Sequence, residues 1–135
     1  MTDFKSLLEN YKIIFFDAYG VIKNYKGPIP GIEKTFNWLN EQQKSYYIIT
    51  NDASRSPELL AESYIKNGLS HITPDKIISS GMLAKEFLDL KVKQGLVAYL
   101  GTADSAHYIE HPGLKTLPLQ DMNESNINDI TALVL

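Results

Sequence analysis

The stretch Ile13-Ile14-Phe15-Phe16-Asp17-Ala18-Tyr19-Gly20 decides the fold class of this chain. Its first four residues form a continuous apolar run, which is typical of a strand buried on both faces of a parallel sheet. The run ends at Asp17, and Gly20 lets the backbone turn and approach a ligand where a β-carbon would obstruct it. We therefore predict a buried strand followed at once by a loop that can carry chemistry.

Further strands and helices alternate along the rest of the chain. The spacing of Ile32, Phe36 and Leu39 predicts an amphipathic helix, and Pro57 and Gly68 mark the beginning and end of another. In chain order, strands are predicted at 13–16, 46–49, 77–78, 96–100 and 132–135, with helices near 32–39, between 57 and 68, and at 82–90. This alternation implies right-handed crossovers. The predicted fold class is α/β, with a three-layer, Rossmann-like parallel sheet.

Composition and charge narrow the function classes. The chain has 135 residues, 44% of them hydrophobic, and a net charge of −3 without a basic stripe. Nucleic acid and membranes are therefore not expected as partners, because both attract basic surfaces. The chain has no cysteine and begins without a signal-peptide-like apolar segment, so we expect a cytoplasmic protein. The sequence leaves homo-oligomerisation open.

Polar side chains follow two predicted strands at the point where each ends. Asp17 ends the first strand, and Thr50 and Asn51 follow the second. Ligands of open parallel sheets bind beyond the carboxyl ends of the strands, so these residues are expected to face one crevice. An aspartate there can attack phosphorus, provided that a cation and hydrogen-bond donors neutralise the phosphoryl oxygens. Thr50 and Asn51 are suitable donors.

These residues resemble the motifs of the haloacid dehalogenase-like (HAD) phosphohydrolases. The stretch from Phe15 to Val21 is similar to the first motif, a strand followed by Asp-x-Asp-Gly-Val, and 48–51 resembles the second, a strand ending in Thr or Ser. Pro30-Gly31, 50–55 and 78–81 resemble the NagD-like branch, whose cap domain is inserted after the second motif. The resemblance implies that 1–90 form the N-terminal part of a HAD-like core and that 91–135 begin an incomplete cap domain.

The resemblance also implies a role for each motif residue. Asp17 would be the nucleophile that forms an aspartyl-phosphate, and its carboxylate would bind Mg²⁺ together with the backbone carbonyl of Tyr19. Gly20, Thr50 and Asn51 would bind the phosphoryl group of a small phosphorylated metabolite. The implied activity is that of a Mg²⁺-dependent phosphatase.

Two departures from the family pattern qualify this activity. The second aspartate of the first motif, which transfers the proton, is replaced by Tyr19. A phenol stays protonated at neutral pH, so it can donate a proton but is almost never a base. The family's later lysine and acidic metal-binding pair have no counterpart between Gly101 and Leu135. Because the chain stops on an apolar strand, we expect it to be truncated and not to turn over substrate alone.

Other interpretations of the same residues remain open. Asp17 could form only a turn or a helix cap, and Tyr19 could be an aromatic wall of the crevice without a role in proton transfer. His107 and His111 have a spacing that could hold a metal, but the following Pro112-Gly113 favours surface histidines. A phosphoaccepting receiver domain is rejected, because it would place its acceptor aspartate on the third strand, and Ile77-Ile78 leads only to Ser79-Ser80. A catalytically silent HAD-fold binding or scaffold protein is the main alternative function.

Overall fold

The computed structural model describes residues 4–135, which form two compact units. The first comprises the described residues up to Thr50 together with Pro57–Ile78, and the second comprises Asn51–Ser56 together with Ser79–Leu135. The chain thus passes to the second unit after Thr50, returns to the first at Pro57 and passes to the second again after Ile78, whereas the sequence analysis predicted one domain boundary after residue 90. The assignment of core and cap to these parts of the chain stays a prediction.

The first unit is built on a sheet of three strands in the order β1-β4-β5. Its elements are α1 (Phe4–Glu9), β1 (Ile13–Asp17), β2 (Lys23–Asn24), β3 (Gly27–Pro28), α2 (Ile32–Glu41), β4 (Ser45–Thr50), α3 (Pro57–Lys66) and β5 (Ile77–Ser79). Strands β1 and β4 are parallel and pair from Ile13 opposite Ser45 to Asp17 opposite Ile49. The small antiparallel ribbon β2-β3 was not predicted.

Helices α2 and α3 pack their apolar sides into the core of the first unit. Ile32, Phe36 and Leu39 are all buried, as their spacing predicts. Phe36 contacts Phe16 and Tyr46, with ring centroids 5.3 and 5.0 Å apart. The core therefore lies between these helices and one face of the sheet.

The other face of this sheet is not covered by the described residues. Ile14 and Phe16 of β1 are buried, but Ile13 is 51% exposed and Phe15 is 56% exposed. The interpretation of this run as a strand buried on both faces is therefore wrong for the described chain. A continuous apolar run shows that both faces of a strand suit burial, but it cannot show which segments cover them.

The second unit contains a second parallel sheet, in the order β7-β6-β8. Its elements are α4 (Ser80–Phe87), a π-helical turn (Leu88–Val92), β6 (Gly95–Tyr99), a 3₁₀ helix (Ala103–Tyr108), β7 (Leu114–Pro118) and β8 (Ile130–Val134). A buried cluster packs on this sheet and includes Leu88, Val97, Tyr99, Ile109 and Leu114. The α/β fold class with parallel sheets is confirmed. Among the described helices, none is long and apolar enough to cross a bilayer.

Candidate active site

The loop that begins at Asp17 is a tight turn held by its own backbone. Asp17 ends β1 in an exposed position, whereas the next residue, Ala18, is fully buried. The Ala18 carbonyl accepts hydrogen bonds from the amides of Ile22 and Lys23, both at 3.0 Å. The Gly20 amide donates to the Lys23 carbonyl at 2.7 Å, and Gly20 has a φ of +87°. The predicted turn at this glycine is confirmed, since other residues rarely adopt that φ.

Thr50 lies at the same sheet edge as Asp17. Asp17 pairs in register with Ile49, so Thr50 stands one residue beyond it on the neighbouring strand β4. The Ala18 amide donates to the Ile49 carbonyl at 3.2 Å, which continues the strand pairing past Asp17. The two strands therefore end at one edge of the sheet, where Asp17 is exposed and Thr50 is only 8% exposed. That they face one crevice stays a prediction.

Tyr19 projects from the turn with 64% of its surface exposed. It forms an isolated bridge with Lys23, on the return side of the turn. This placement agrees with either predicted role, a proton donor or an aromatic wall, because both require the ring to face the open edge of the site.

Asn51 begins a loop of the second unit, Asn51–Ser56, whose backbone is anchored by side-chain hydroxyls. The Asn51 carbonyl accepts a hydrogen bond from Ser80 Oγ at 3.1 Å. The Ser54 carbonyl accepts one from Thr102 Oγ1, also at 3.1 Å. These anchors come from α4 and from the segment after β6, so they fix the loop to two parts of its unit.

A third anchor of this loop is Tyr108. Its hydroxyl donates to the Arg55 carbonyl at 2.8 Å and accepts a hydrogen bond from Ser79 Oγ at 2.8 Å. Tyr108 is only 4% exposed and Ser79 only 1%. The Tyr108 ring also lies against Gly81, where an added β-carbon would come within 2.5 Å of it. Sequence reasoning missed Tyr108 and Thr102, because hydroxyl side chains are common and neither residue lies in a recognisable motif.

The loop also lines a cavity of about 530 Å³ within the second unit. Polar side chains of Asn51, Asp52 and Thr102 share this lining with the apolar Leu100 and Ile109. The lining contains no Lys or Arg, so the cavity suits an uncharged hydroxylated group better than an anion.

The two histidines do not form a metal site. His107 belongs to the 3₁₀ helix Ala103–Tyr108 and His111 lies beyond its end, so they do not share one helical face. His111 Nε2 lies 4.0 Å from Asp89 Oδ1. Within residues 4–135, no three His, Asp or Glu side chains gather in a group that could hold a metal ion. His107 is exposed and His111 is partly exposed.

An aspartate in a tight turn at the carboxyl end of a parallel strand occupies the position at which open α/β sheets generally bind ligands. The sequence profile of the haloacid dehalogenase-like hydrolases matches residues 14–115. The chain belongs to this family. The predicted resemblance to this family is thus confirmed. A solved structure described as a nagD protein shares the fold at 19% identity, with a TM-score of 0.67.

Several similar proteins are described as phosphatases. A possible sugar phosphatase of the HAD superfamily from Cytophaga hutchinsonii, known from its crystal structure, has 60% sequence identity to this chain and a TM-score of 0.93. The match covers all of this chain and 48% of that one. Phosphoglycolate phosphatase 2 of Arabidopsis thaliana is 31% identical over 87 residues, which are 64% of this chain and 29% of that protein.

A glycerol phosphate phosphatase from Mycobacterium tuberculosis, solved in complex with magnesium, shares the fold at 22% identity, with a TM-score of 0.67. The match covers 81% of this chain and 32% of that one. This chain therefore spans half or less of the length of each of these relatives.

Proposed function

We propose that the natural protein is a Mg²⁺-dependent phosphatase that hydrolyses a small phosphorylated metabolite through an aspartyl-phosphate on Asp17. The observation that carries this proposal is the exposed Asp17 at the end of β1, beside the end of β4 at Thr50. Membership of a hydrolase family and the phosphatase relatives support it.

In the proposed reaction, a carboxylate oxygen of Asp17 attacks the phosphorus atom of the substrate. A new oxygen–phosphorus bond forms while the bond to the leaving alcohol breaks, and water then hydrolyses the acyl phosphate to restore the carboxylate and release phosphate. The Thr50 hydroxyl and the Asn51 amide donate hydrogen bonds to the phosphoryl oxygens. Gly20 suits the turn, because glycine has no β-carbon and so adopts the φ of +87° without strain.

Mg²⁺ would be held by the Asp17 carboxylate and the backbone carbonyl of Tyr19. Oxygen donors of this kind suit Mg²⁺, which usually keeps several waters and takes one or two protein carboxylates. Bound there, it would neutralise charge on the phosphoryl oxygens. Because the ligand at position 19 is a backbone atom, the tyrosine side chain does not remove it.

Tyr19 is proposed to restrict the range of leaving groups. A phenol can give a proton to a departing alkoxide but is a poor base for activating water. Loss of a positioned acid or base costs roughly 10²–10⁴-fold in rate. We therefore expect the natural protein to be slow on alkyl phosphates, whose leaving groups need a proton, and faster on aryl phosphates.

A hydroxylated substrate, such as a sugar phosphate, is a further part of this proposal. A relative described as a possible sugar phosphatase is in keeping with this substrate class.

A catalytically silent binding or scaffold protein is the second candidate, and the tyrosine at position 19 favours it. Labelling with beryllofluoride and Mg²⁺ separates the two, because beryllofluoride forms a stable aspartyl adduct that mimics the phosphoenzyme. A ¹⁹F signal that disappears in Asp17→Asn supports the phosphatase. A folded, full-length natural protein that gives no Mg²⁺-dependent signal would support the silent protein instead.

A further inference from the structure

The cavity of the second unit has a lining whose chemistry phosphate binding does not explain. We call it the hydroxyl cavity and define it by the four hydroxyl-bearing residues Ser54, Ser80, Thr102 and Ser105 of its lining. Its volume of about 530 Å³ is in the range that is usual for pockets of small ligands. All of its lining residues belong to the second unit. It is therefore a candidate ligand site of that unit alone.

Three of these hydroxyl groups donate their only proton to the backbone of the same unit. Ser80 Oγ donates to the Asn51 carbonyl and Thr102 Oγ1 donates to the Ser54 carbonyl, both at 3.1 Å. Ser105 Oγ donates to the Thr102 carbonyl at 2.7 Å. A hydroxyl group has one proton to donate and two lone pairs that can accept. Toward a ligand, these oxygen atoms can therefore act only as acceptors.

The remaining polar side chains of the lining add further acceptors. Ser54 Oγ donates to Asp52 Oδ1 at 2.6 Å, so its proton is used inside the protein as well. Among the described lining residues none is Lys, Arg or His, and Asp52 is the only one with a charged side chain. The side chains of Asn51 and Tyr99 can donate, but acceptors outnumber them. A ligand rich in hydrogen-bond donors fits this lining, whereas an anion does not.

Aromatic rings and apolar side chains form the rest of the lining. The rings of Tyr99 and Tyr108 belong to it, and these residues are only 6% and 4% exposed, so packing holds both rings in place. The faces of aromatic rings attract cations. Ala84, Leu100 and Ile109 supply apolar surface. The cavity thus combines acceptor oxygens, aromatic rings and an apolar wall.

We propose that the hydroxyl cavity binds a small primary ammonium compound with an apolar or aromatic body. An ammonium group has three donors and no acceptor, which complements hydroxyl oxygens that can only accept. An uncharged polyol fits less well, because each of its hydroxyl groups brings lone pairs as well as a proton. The hydrogen bonds from Ser80 and Thr102 hold the loop, so the cavity is formed before a ligand binds. This inference goes beyond the proposed function and uses no chemistry of Asp17.

The test compares three probes that differ in one terminal group. Tyramine carries an ammonium group on a short arm attached to a phenol ring, phloretate carries a carboxylate at the same place, and para-propylphenol carries a methyl group. Isothermal titration calorimetry with this chain should show saturable one-to-one binding of tyramine, and binding of the other two at least tenfold weaker. Amide chemical shifts should change in Asn51–Ser56 and in Ala103–Tyr108.

Two variants locate the site. Ser105→Ala removes an acceptor oxygen and should weaken tyramine binding at least threefold. Ala84→Leu adds volume to the wall and should weaken it at least tenfold. The matched control is Ser125→Ala, because Ser125 Oγ also donates inside the second unit, to Asn123 Oδ1 at 2.6 Å, but lies outside the lining. This control should bind tyramine like the unchanged chain, and circular dichroism establishes that each variant is folded.

Any one of three results would overturn the proposal: no saturable binding of tyramine, binding of phloretate as tight as that of tyramine, or unchanged tyramine binding by folded Ser105→Ala or Ala84→Leu. The outcome is separate from that of the proposed phosphatase chemistry. Asp17→Asn should bind tyramine like the unchanged chain, although the same substitution in the natural protein should abolish the beryllofluoride adduct. Failure of either proposal therefore leaves the other standing.

Discussion

Removing the Tyr108 hydroxyl is expected to destabilise the second unit by about 2 kcal/mol. In Tyr108→Phe, Ser79 Oγ loses an acceptor at 2.8 Å and the Arg55 carbonyl loses a donor at 2.8 Å. A buried group left unpaired costs about 1–3 kcal/mol. Ser79 is 1% exposed and bears this cost, whereas Arg55 is exposed and its carbonyl can bond to water. The loss at Ser79 therefore dominates.

For a domain of this size, about 2 kcal/mol corresponds to a fall in Tm of roughly 8 °C. Urea titration should show a lower midpoint with an unchanged slope, since the folded state stays compact. Amide exchange in Asn51–Ser56 should increase, because Tyr108 is one of the three hydroxyl anchors of that loop.

A double-mutant cycle identifies the hydrogen bond as the cause. Ser79→Ala and Tyr108→Phe should each be destabilising, but the double variant should lose less than their sum, because replacing both partners leaves no unpaired hydroxyl. If Tyr108→Phe changes the free energy of unfolding by less than about 0.5 kcal/mol, a value usual for surface substitutions, the reasoning is refuted. Strictly additive losses would refute it as well.

Four other substitutions test separate parts of the structure. Gly81→Ala should lower the free energy of unfolding, measured by urea titration, by about 1 kcal/mol, because the added β-carbon would come within 2.5 Å of the Tyr108 ring. This clash is expected to outweigh the better helix propensity of Ala. Tyr46→Phe should cost about 1–3 kcal/mol, since the buried hydroxyl makes three hydrogen bonds of 2.9–3.2 Å. Asp17→Asn should abolish the ¹⁹F adduct and change Tm little, because Asp17 is exposed. Tyr19→Asp should raise kcat of the natural protein on alkyl phosphates roughly 10²–10⁴-fold relative to aryl phosphates. Equal, fast turnover of both substrates by the unchanged protein would show that Tyr19 does not impair proton transfer.

The sequence predicted the elements whose signal is local. The helix from Ile32 and the turn at Gly20 follow from apolar spacing and from the backbone freedom of glycine, and both were found where predicted. Strand β7 was missed, because Leu114–Pro118 mixes polar residues with a terminal proline and is defined by its pairing with β6. Pairing between segments distant in sequence leaves little trace in either segment alone.

The candidate site likewise contains residues that the sequence predicts and residues that it does not. Asp17 and Thr50 could be predicted because each directly follows an apolar strand, and neighbouring parallel strands end at one edge. The anchors of Asn51–Ser56 could not, since Thr102 and Tyr108 lie about 50 residues along the chain from the carbonyls that they bind. The uncovered face could not be predicted either, because apolar composition is the same whether or not a cover is present.

The alternation of β1 places the candidate nucleophile Asp17 on the exposed face of the first unit's sheet. Residues 13, 15 and 17 are exposed and residues 14 and 16 are buried, so the Asp17 side chain lies on the same side of the strand as those of Ile13 and Phe15. The Asp17 side chain is therefore approached from the exposed face of the sheet and not from the core.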